Sequence, residues 1–328
     1  MHFISVIIPV YNGSQVLGQC LESVFKSGYP YFECIVVDDR STDNTVEIAE
    51  SFDTKIIRLD RQHGAAYARN RGAEVAQGDI LLFVDADVVI YSDSLIKVAK
   101  TFENYPELSA LFGSYDDQPG SPNFFSQYKN LFHHYIHQTS QEDAFTFWSG
   151  CGAIKKDAFF SVNGFDQNKY SNPCIEDIEM GSRLKKIGHR ILLYKHLQVK
   201  HLKHYSFFNL LKSDLFDRAI PWTILMLSNK HLSSDLNLKP AHKLSAIAAI
   251  LLIVSALMAI TSKWFLLGIP FLLFLFFIFN IDFYRFFLKK RGFVFSIKVA
   301  PLHFLYYLYS SLGFAIGTYK YYFKKDFN

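Results

Sequence analysis

The run ISVIIPV (4–10) is apolar at nearly every position, the pattern of a strand covered on both faces. SQVLGQCLESVFKS (14–27) follows, with Val16, Leu17, Cys20, Leu21, Val24 and Phe25 at helical spacing. The alternation then repeats. FECIVV (32–37), KIIRL (55–59) and DILLFVD (79–85) read as strands, and GAAYARNRGAEVA (64–76) reads as a helix. Between the first two of these strands lies STDNTVEIAESF (41–52), a helix with Ser41 or Thr42 as its N-cap. Four β–α repeats predict an α/β domain on a mostly parallel sheet with helices on both faces. Ligands of such sheets bind beyond the carboxyl ends of the strands.

Near the C-terminus the pattern changes from alternation to saturation. Residues 244–262 and 264–281 are two uncharged runs of 19 and 18 residues, separated by Lys263. As helices each spans roughly 27 Å, close to the hydrocarbon thickness of a bilayer. The expectation is a transmembrane hairpin turning at Lys263. A third run (299–319) is wetter, with His303 and several tyrosines; it either spans or lies at the interface. The loop between, 282–298, carries five basic residues, which places it, and with it the N-terminal domain, in the cytoplasm. The predicted organisation is a cytoplasmic catalytic domain (1–225), a juxtamembrane linker (226–243) and a multi-pass membrane region (244–328) of the cell membrane.

Charge obeys the same division. Residues 243–328 hold ten Lys/Arg against two Asp/Glu, whereas 1–242 hold 24 against 28. The net +4 of the chain is therefore a membrane-flank feature, and the sequence gives no support to nucleic-acid binding. Cys20, Cys34, Cys151 and Cys174 show no C-x-x-C spacing and read as reduced core thiols. No basic segment precedes the first apolar run, so no signal peptide is expected.

Three of the strand ends gather the polar chemistry: PVYNG (9–13), DDRSTD (38–43) and DAD (85–87). Residues i and i+2 of an extended chain project to one side, so Asp85 and Asp87 can face one point. Two carboxylates that close resist desolvation unless a cation sits with them. Mg²⁺ or Mn²⁺ takes oxygen ligands and shares them with a diphosphate. No G-x-G-x-x-G follows the first strand, which disfavours a dinucleotide oxidoreductase. His133 and His137 stand at i, i+4 but have no third ligand nearby in sequence.

SVIIPVYNG, VVDDRSTDNT, GAAYARNRGAE and GDILLFVDAD, in this order, resemble the successive motifs of inverting family-2 glycosyltransferases. The resemblance covers roughly residues 3–225. It implies a GT-A nucleotide-diphosphate-sugar-binding fold, Rossmann-like and mostly parallel, followed by an α-helical membrane region. It further implies that Pro9, Tyr11 and Asp39 line the nucleobase and ribose site, with Asp38 either structural or part of it. Arg69 would help hold the nucleotide, Asp85 would contact the ribose or metal, and Asp87 would ligate the metal bridging the diphosphate. His201 is a further metal or diphosphate ligand, or else an interfacial histidine.

FWSGCGAIKKDAF (147–159) matches the segment where acceptor and sugar approach the backbone, with Gly150 and Gly152 as close-approach positions. Trp148 either stacks on a sugar or lipid or fills core. EDIEM (176–180) resembles the family's E-D motif, which makes Asp177 the general base and Glu176 a residue that positions the acceptor or the base. Arg218 and Trp222 resemble, without matching, the Q-x-x-R-W signature of processive synthases, which points to one sugar per acceptor; Arg218 would neutralise the leaving diphosphate. The function expected is transfer of one sugar from a nucleotide-diphosphate sugar to a hydroxyl of a lipid or lipid-linked acceptor. The alternatives are a polyprenyl-phosphate glycosyltransferase and a non-catalytic nucleotide-binding membrane scaffold.

Overall fold

The structure, a computed structural model, describes residues 1–229 and 240–323. Residues 230–239, most of the expected linker, and 324–328 lie outside the described residues. The chain divides into two compact units, Met1–Tyr205 and Ser206–Asn328.

The first unit is built on one sheet of eight strands: β1 (Ile4–Val10), β2 (Phe32–Asp38), β3 (Lys55–Arg58), β4 (Ile80–Val84), β5 (Val88–Ile90), β6 (Leu108–Tyr115), β7 (Cys151–Lys155) and β8 (Arg190–His201). Their order is β3-β2-β1-β4-β7-β6-β8-β5. The helices are α1 (Leu17–Phe25), α2 (Thr45–Glu50), α3 (Ala65–Val75), α4 (Ser94–Asn104), α5 (Phe124–Thr139), α6 (Lys156–Ser161) and α7 (Glu176–Lys186). β1 shows why its sequence is apolar without alternation. Ile4, Val6, Ile8 and Val10 face one core cluster with Leu17, Leu21 and Val24 of α1, while Ile7 faces a second with Ala66, Ala68 and Ala73 of α3. A fully buried Val, Leu or Ile contributes about 1.5–3 kcal/mol, so both faces must stay apolar.

β1 to β4 pair in parallel, as the β–α repeats require. Beyond them the sheet is mixed: β7 runs antiparallel to both β4 and β6, β6 and β8 are parallel, and β5 is antiparallel to β8. The helix after β2 begins at Thr45, later than the expected Ser41 or Thr42 cap. The Asp43 carboxylate accepts the Thr45 N–H (3.2 Å) and its hydroxyl, which ends the loop there.

In the second unit α8 (Phe207–Lys212) continues through a π-helical segment, Ser213–Ala219, into α9 (Ile220–Ser228). Then come α10 (Pro240–Met258), a 3₁₀ turn (Lys263–Leu267), α11 (Gly268–Phe279) and α12 (Ile281–Phe323). At Gly292 (φ 80°, ψ 179°) α12 is broken, a conformation that glycine adopts without a Cβ penalty. Two of these helices, α10 and α12, are long and apolar enough to cross a membrane. The expected second span, 264–281, is an apolar helical stretch, Lys263–Phe279, in which the 3₁₀ turn runs directly into α11. The wetter run 299–319 lies inside α12.

The unit boundary at Tyr205/Ser206 precedes the expected one at 225 because the helix before 228 packs against α12. A Cβ at Gly313 would come within 2.6 Å of Ala219 Cβ, and one at Gly317 within 2.7 Å of Thr223 Cβ. Small residues let two helix backbones approach closely. Asn280 ties the remaining helices together: its amide donates to Ser245 Oγ of α10 (2.8 Å), and its carbonyl accepts from Tyr307 OH of α12 (2.8 Å).

Candidate active site

A cleft of about 610 Å³ opens at the carboxyl ends of β1, β2 and β4. Pro9, Tyr11, Asp39, Arg69, Asp85 and Asp87 all line it. Tyr11 is 46% exposed and offers its ring to the cleft. Its loop is fixed from below: Asn12 N–H donates to Ser41 Oγ (2.8 Å) and Gly13 N–H to Thr45 Oγ1 (2.8 Å).

Asp39 is buried, and its two oxygens accept the backbone N–H groups of His63 (2.7 Å) and Gly64 (2.8 Å). A carboxylate has about four lone-pair directions, so Asp39 both fixes this turn and can accept from a ligand. Gly64 has φ 93°, and a Cβ there would meet Ser171 O at 2.0 Å. Only glycine lets the loop carrying Ser171, Asn172 and Pro173 close over the cleft wall at this point. Asp38 is structural here: it accepts the Ser41 N–H (3.1 Å) and Leu59 N–H donates to its carbonyl (2.9 Å).

Arg69 is the centre of the site. Its guanidinium donates to Asp85 Oδ1 (2.7 Å) through one terminal nitrogen and to Glu176 Oε1 (2.8 Å) through the other. Burial works against its charge, but Asp85 and Glu176 outweigh that and hold the guanidinium firmly protonated, above its ordinary value. The second oxygen of Glu176 accepts the Cys174 N–H (2.8 Å). Glu176 therefore positions Arg69 and the start of α7. Replacing one member of such a buried cluster strands the other charges. Arg69→Met should lower the unfolding free energy of the full chain by about 3–5 kcal/mol. Urea denaturation in detergent measures this, and a loss within experimental error would show that the clamp is dispensable.

Asp87 is the other carboxylate of the pair and is 26% exposed along its side chain, with His201 Nε2 3.5 Å from its Oδ2. Burial pushes its carboxyl up, but His201 and Lys203 more than offset this and hold it below its ordinary range. His201, at the end of β8, is stacked on Tyr115 (ring centroids 4.2 Å, 15°). Among the described residues no group of three or more His, Cys, Asp or Glu side chains is gathered as a metal cage. Asp85, expected in that set, has one oxygen on Arg69 instead. A carboxylate and an imidazole facing each other beside a cleft still fit a divalent cation that draws its other ligands from a diphosphate and water.

Asp177, on the first turn of α7, accepts at Oδ2 from Ser149 N–H (3.0 Å) and Ser149 Oγ (3.2 Å), and at Oδ1 from Ile178 N–H (2.8 Å). Burial, then the neighbouring Glu176 charge, pushes its carboxyl up to about 6. Gly150 carbonyl accepts the Asp85 N–H (3.2 Å). The contacts thus close a ring: Asp85 to Gly150, Ser149 to Asp177, Glu176 to Arg69, and Arg69 back to Asp85.

Other expected residues are placed differently. The space at Gly150 and Gly152 is filled by protein: a Cβ would meet the Trp148 ring at 2.4 Å and Phe147 Cζ at 2.5 Å, respectively. They accommodate aromatic packing rather than an acceptor. Trp148 is half-buried, edge-on to Tyr115 (4.7 Å) and His137 (5.6 Å). Arg218 and Trp222 belong to the C-terminal unit, where Arg218 lies 3.9 Å from the buried Asp214, which accepts from Tyr309 OH (2.7 Å). Sequence reasoning missed Ser149 and Gly64, although both lie inside the motifs. Nothing in sequence links Ser149 to a carboxylate 28 residues away.

An eight-stranded mixed sheet whose acidic strand ends face one cleft defines the class as a GT-A-like nucleotide-sugar fold. Residues 5–161 match the glycosyl transferase family 2 model, and residues 131–206 match that described as the N-terminal domain of galactosyltransferase. The chain carries a family-2 glycosyltransferase domain. Glycosyltransferase GlyG of Streptococcus pneumoniae is 32% identical over 130 residues, 37% of this chain and 43% of that protein. S. aureus TarS in complex with UDP-GlcNAc superposes with TM-score 0.53 at 20% identity, covering 74% of this chain and 70% of that one. The mannosyltransferase PcManGT of Pyrobaculum calidifontis, in complex with GDP-Man and Mn²⁺, gives TM-score 0.53 at 16% identity, covering 99% of this chain and 88% of that one. The matches span less than half the length of the curated relatives GlyG, YibD and AglE.

Proposed function

We propose that this protein is an inverting glycosyltransferase that moves one sugar from a nucleotide-diphosphate sugar to a hydroxyl of a lipid or lipid-linked acceptor. The observation that carries this is the closed ring of contacts joining Arg69, Asp85, Ser149, Glu176 and Asp177. It ties a carboxylate with a raised pKa to the cleft edge where Asp87 and His201 face one another.

In this reading Pro9, Tyr11 and Asp39 hold the nucleoside. Asp87 and His201, with Asp85 beside them, would hold Mg²⁺ or Mn²⁺, which when bound supplies positive charge to the diphosphate. Arg69 fixes Asp85 and Glu176 so that Asp177 stands ready to take a proton. A base tuned near neutrality suits a hydroxyl acceptor; a phosphate acceptor arrives ionised and needs none. Support for the donor class comes from the UDP-GlcNAc complex of TarS and the GDP-Man complex of PcManGT. The apolar α10 and α12 support anchoring in the membrane, with the catalytic unit in the cytoplasm beside its donor.

The test uses the full chain in detergent with native lipid extract. Nucleoside-diphosphate release is followed across UDP-, GDP- and dTDP-sugars with Mn²⁺ or with EDTA. Metal-dependent release from one donor, raised by lipid, is the expected result. Nucleotide binding without release from any donor would favour the scaffold instead.

A further inference from the structure

One buried hydroxyl beside the catalytic carboxylates has no role in the proposed reaction. Ser149 is 2% exposed and sits between Trp148 and Gly150, immediately before β7. Its backbone N–H and its Oγ both point to one oxygen of Asp177, Oδ2. The other oxygen, Oδ1, accepts a single backbone N–H, that of Ile178.

We infer that Ser149 is the positioning residue of the base: its hydroxyl holds Asp177 by Oδ2 and leaves Oδ1 as the oxygen that takes the acceptor proton. The inference rests on Asp177 being the base of the proposed reaction. In that step the acceptor O–H proton passes to Oδ1 and the acceptor oxygen forms its bond to the anomeric carbon. The bond from that carbon to the diphosphate oxygen breaks, and its electron pair leaves with the nucleoside diphosphate. An oxygen that already accepts two hydrogen bonds is the less basic of the two, so the geometry separates the anchored oxygen from the reactive one.

The charged groups acting on Asp177 are Glu176, next to it on α7, and Arg69 of α3, which act in opposite directions. Arg69 is held by Asp85 and Glu176, so that balance is fixed by the fold. The Ser149 hydroxyl is the neutral contribution from the segment preceding β7. It can be removed while the backbone N–H stays in place.

Ser149→Ala should move the acidic limb of the transfer rate upward by about one pH unit. Between pH 8 and pH 6 the variant's rate then falls about fivefold further than the parent's. Ser149→Thr, which keeps the hydroxyl, should restore the limb. A readout independent of donor and acceptor comes from thermal melts of the full chain in detergent from pH 4 to 8. The hydroxyl stabilises the ionised carboxylate, which the folded parent carries from about pH 6 upward, so the melting gap between Ser149→Ala and the parent should widen above pH 6. In an Asp177→Asn background the gap should not vary with pH. A gap that is pH-independent in both backgrounds would overturn the inference and leave Ser149 as packing alone. If the melts behave as expected but the transfer limb does not move, the hydrogen bond stands and the assignment of Asp177 as base fails.

Discussion

Asp87→Ala is expected to reduce transfer by about 10³-fold or more, the scale seen when a principal electrostatic contact to a leaving group is lost. Its side chain lies in the cleft with His201 3.5 Å away, and the facing cation-forming groups keep it ionised. Removing it leaves the His201 imidazole and an Asp85 carboxylate already paired with Arg69, too little to retain a hard divalent ion against water. Nucleoside binding through Pro9, Tyr11 and Asp39 should persist, because Asp39 is held separately by its own backbone donors. The discriminating measurement is Mn²⁺ binding by electron paramagnetic resonance in the presence of UDP and of GDP. Loss of the bound-metal signal together with loss of transfer is the expected pair of results. A variant that binds Mn²⁺ normally, or keeps more than a tenth of its rate, would sink the metal assignment.

Local pattern made the first half of the catalytic unit legible. The unbroken apolar run of β1 demanded cover on both faces, and Leu17, Leu21 and Val24 at helical spacing supplied one of them. The acidic strand ends then had to meet at one edge, because parallel strands point their carboxyl ends the same way. Beyond β4 the fold depends on pairings that local pattern does not encode. β7 reverses direction between β4 and β6, and CGAIK reads the same in either orientation. Arg69 meets Glu176 across 107 positions, so a cation placed by motif at the nucleotide cleft is also a clamp between two carboxylates.

The glycines show the same limit. Gly150 and Gly152 have the small side chain that a close approach requires, but sequence does not say what approaches. In the fold it is the chain's own Trp148 and Phe147. In the C-terminal unit, apolarity over 264–281 implied a second span. A 3₁₀ turn from Lys263 to Leu267 opens that helical stretch, and the run 299–319 belongs to the part of α12 that follows its break at Gly292. Hydropathy measures a run's composition and does not report where the backbone turns.

Asp177→Asn should retain nucleotide and metal binding while losing about 10²–10⁴-fold in transfer, the contribution of a positioned general base. The carboxamide can keep Ser149 as donor to its oxygen but then turns its NH₂ toward the Ile178 N–H, so one contact is lost. Against that stands relief from burying an ionised group, and the balance depends on pH in a direction the geometry fixes. The Asp177 carboxyl titrates near 6 in the folded chain and at its ordinary, lower value when unfolded. Its ionisation therefore opposes folding. The effect is absent below about pH 4, grows through pH 6 and is then constant, reaching on the order of 3 kcal/mol. Relative to the parent, Asp177→Asn should be less stable at pH 4 and should recover as pH rises to 8, even as its activity stays low throughout. The parent's transfer rate should climb with pH through about 6 and level off above about 7, and the variant's residual rate should show no such limb. Such opposite courses of stability and rate are what a base held in a partly desolvated site must produce. A variant with full transfer, or one whose stability difference does not move with pH, would remove Asp177 from that role.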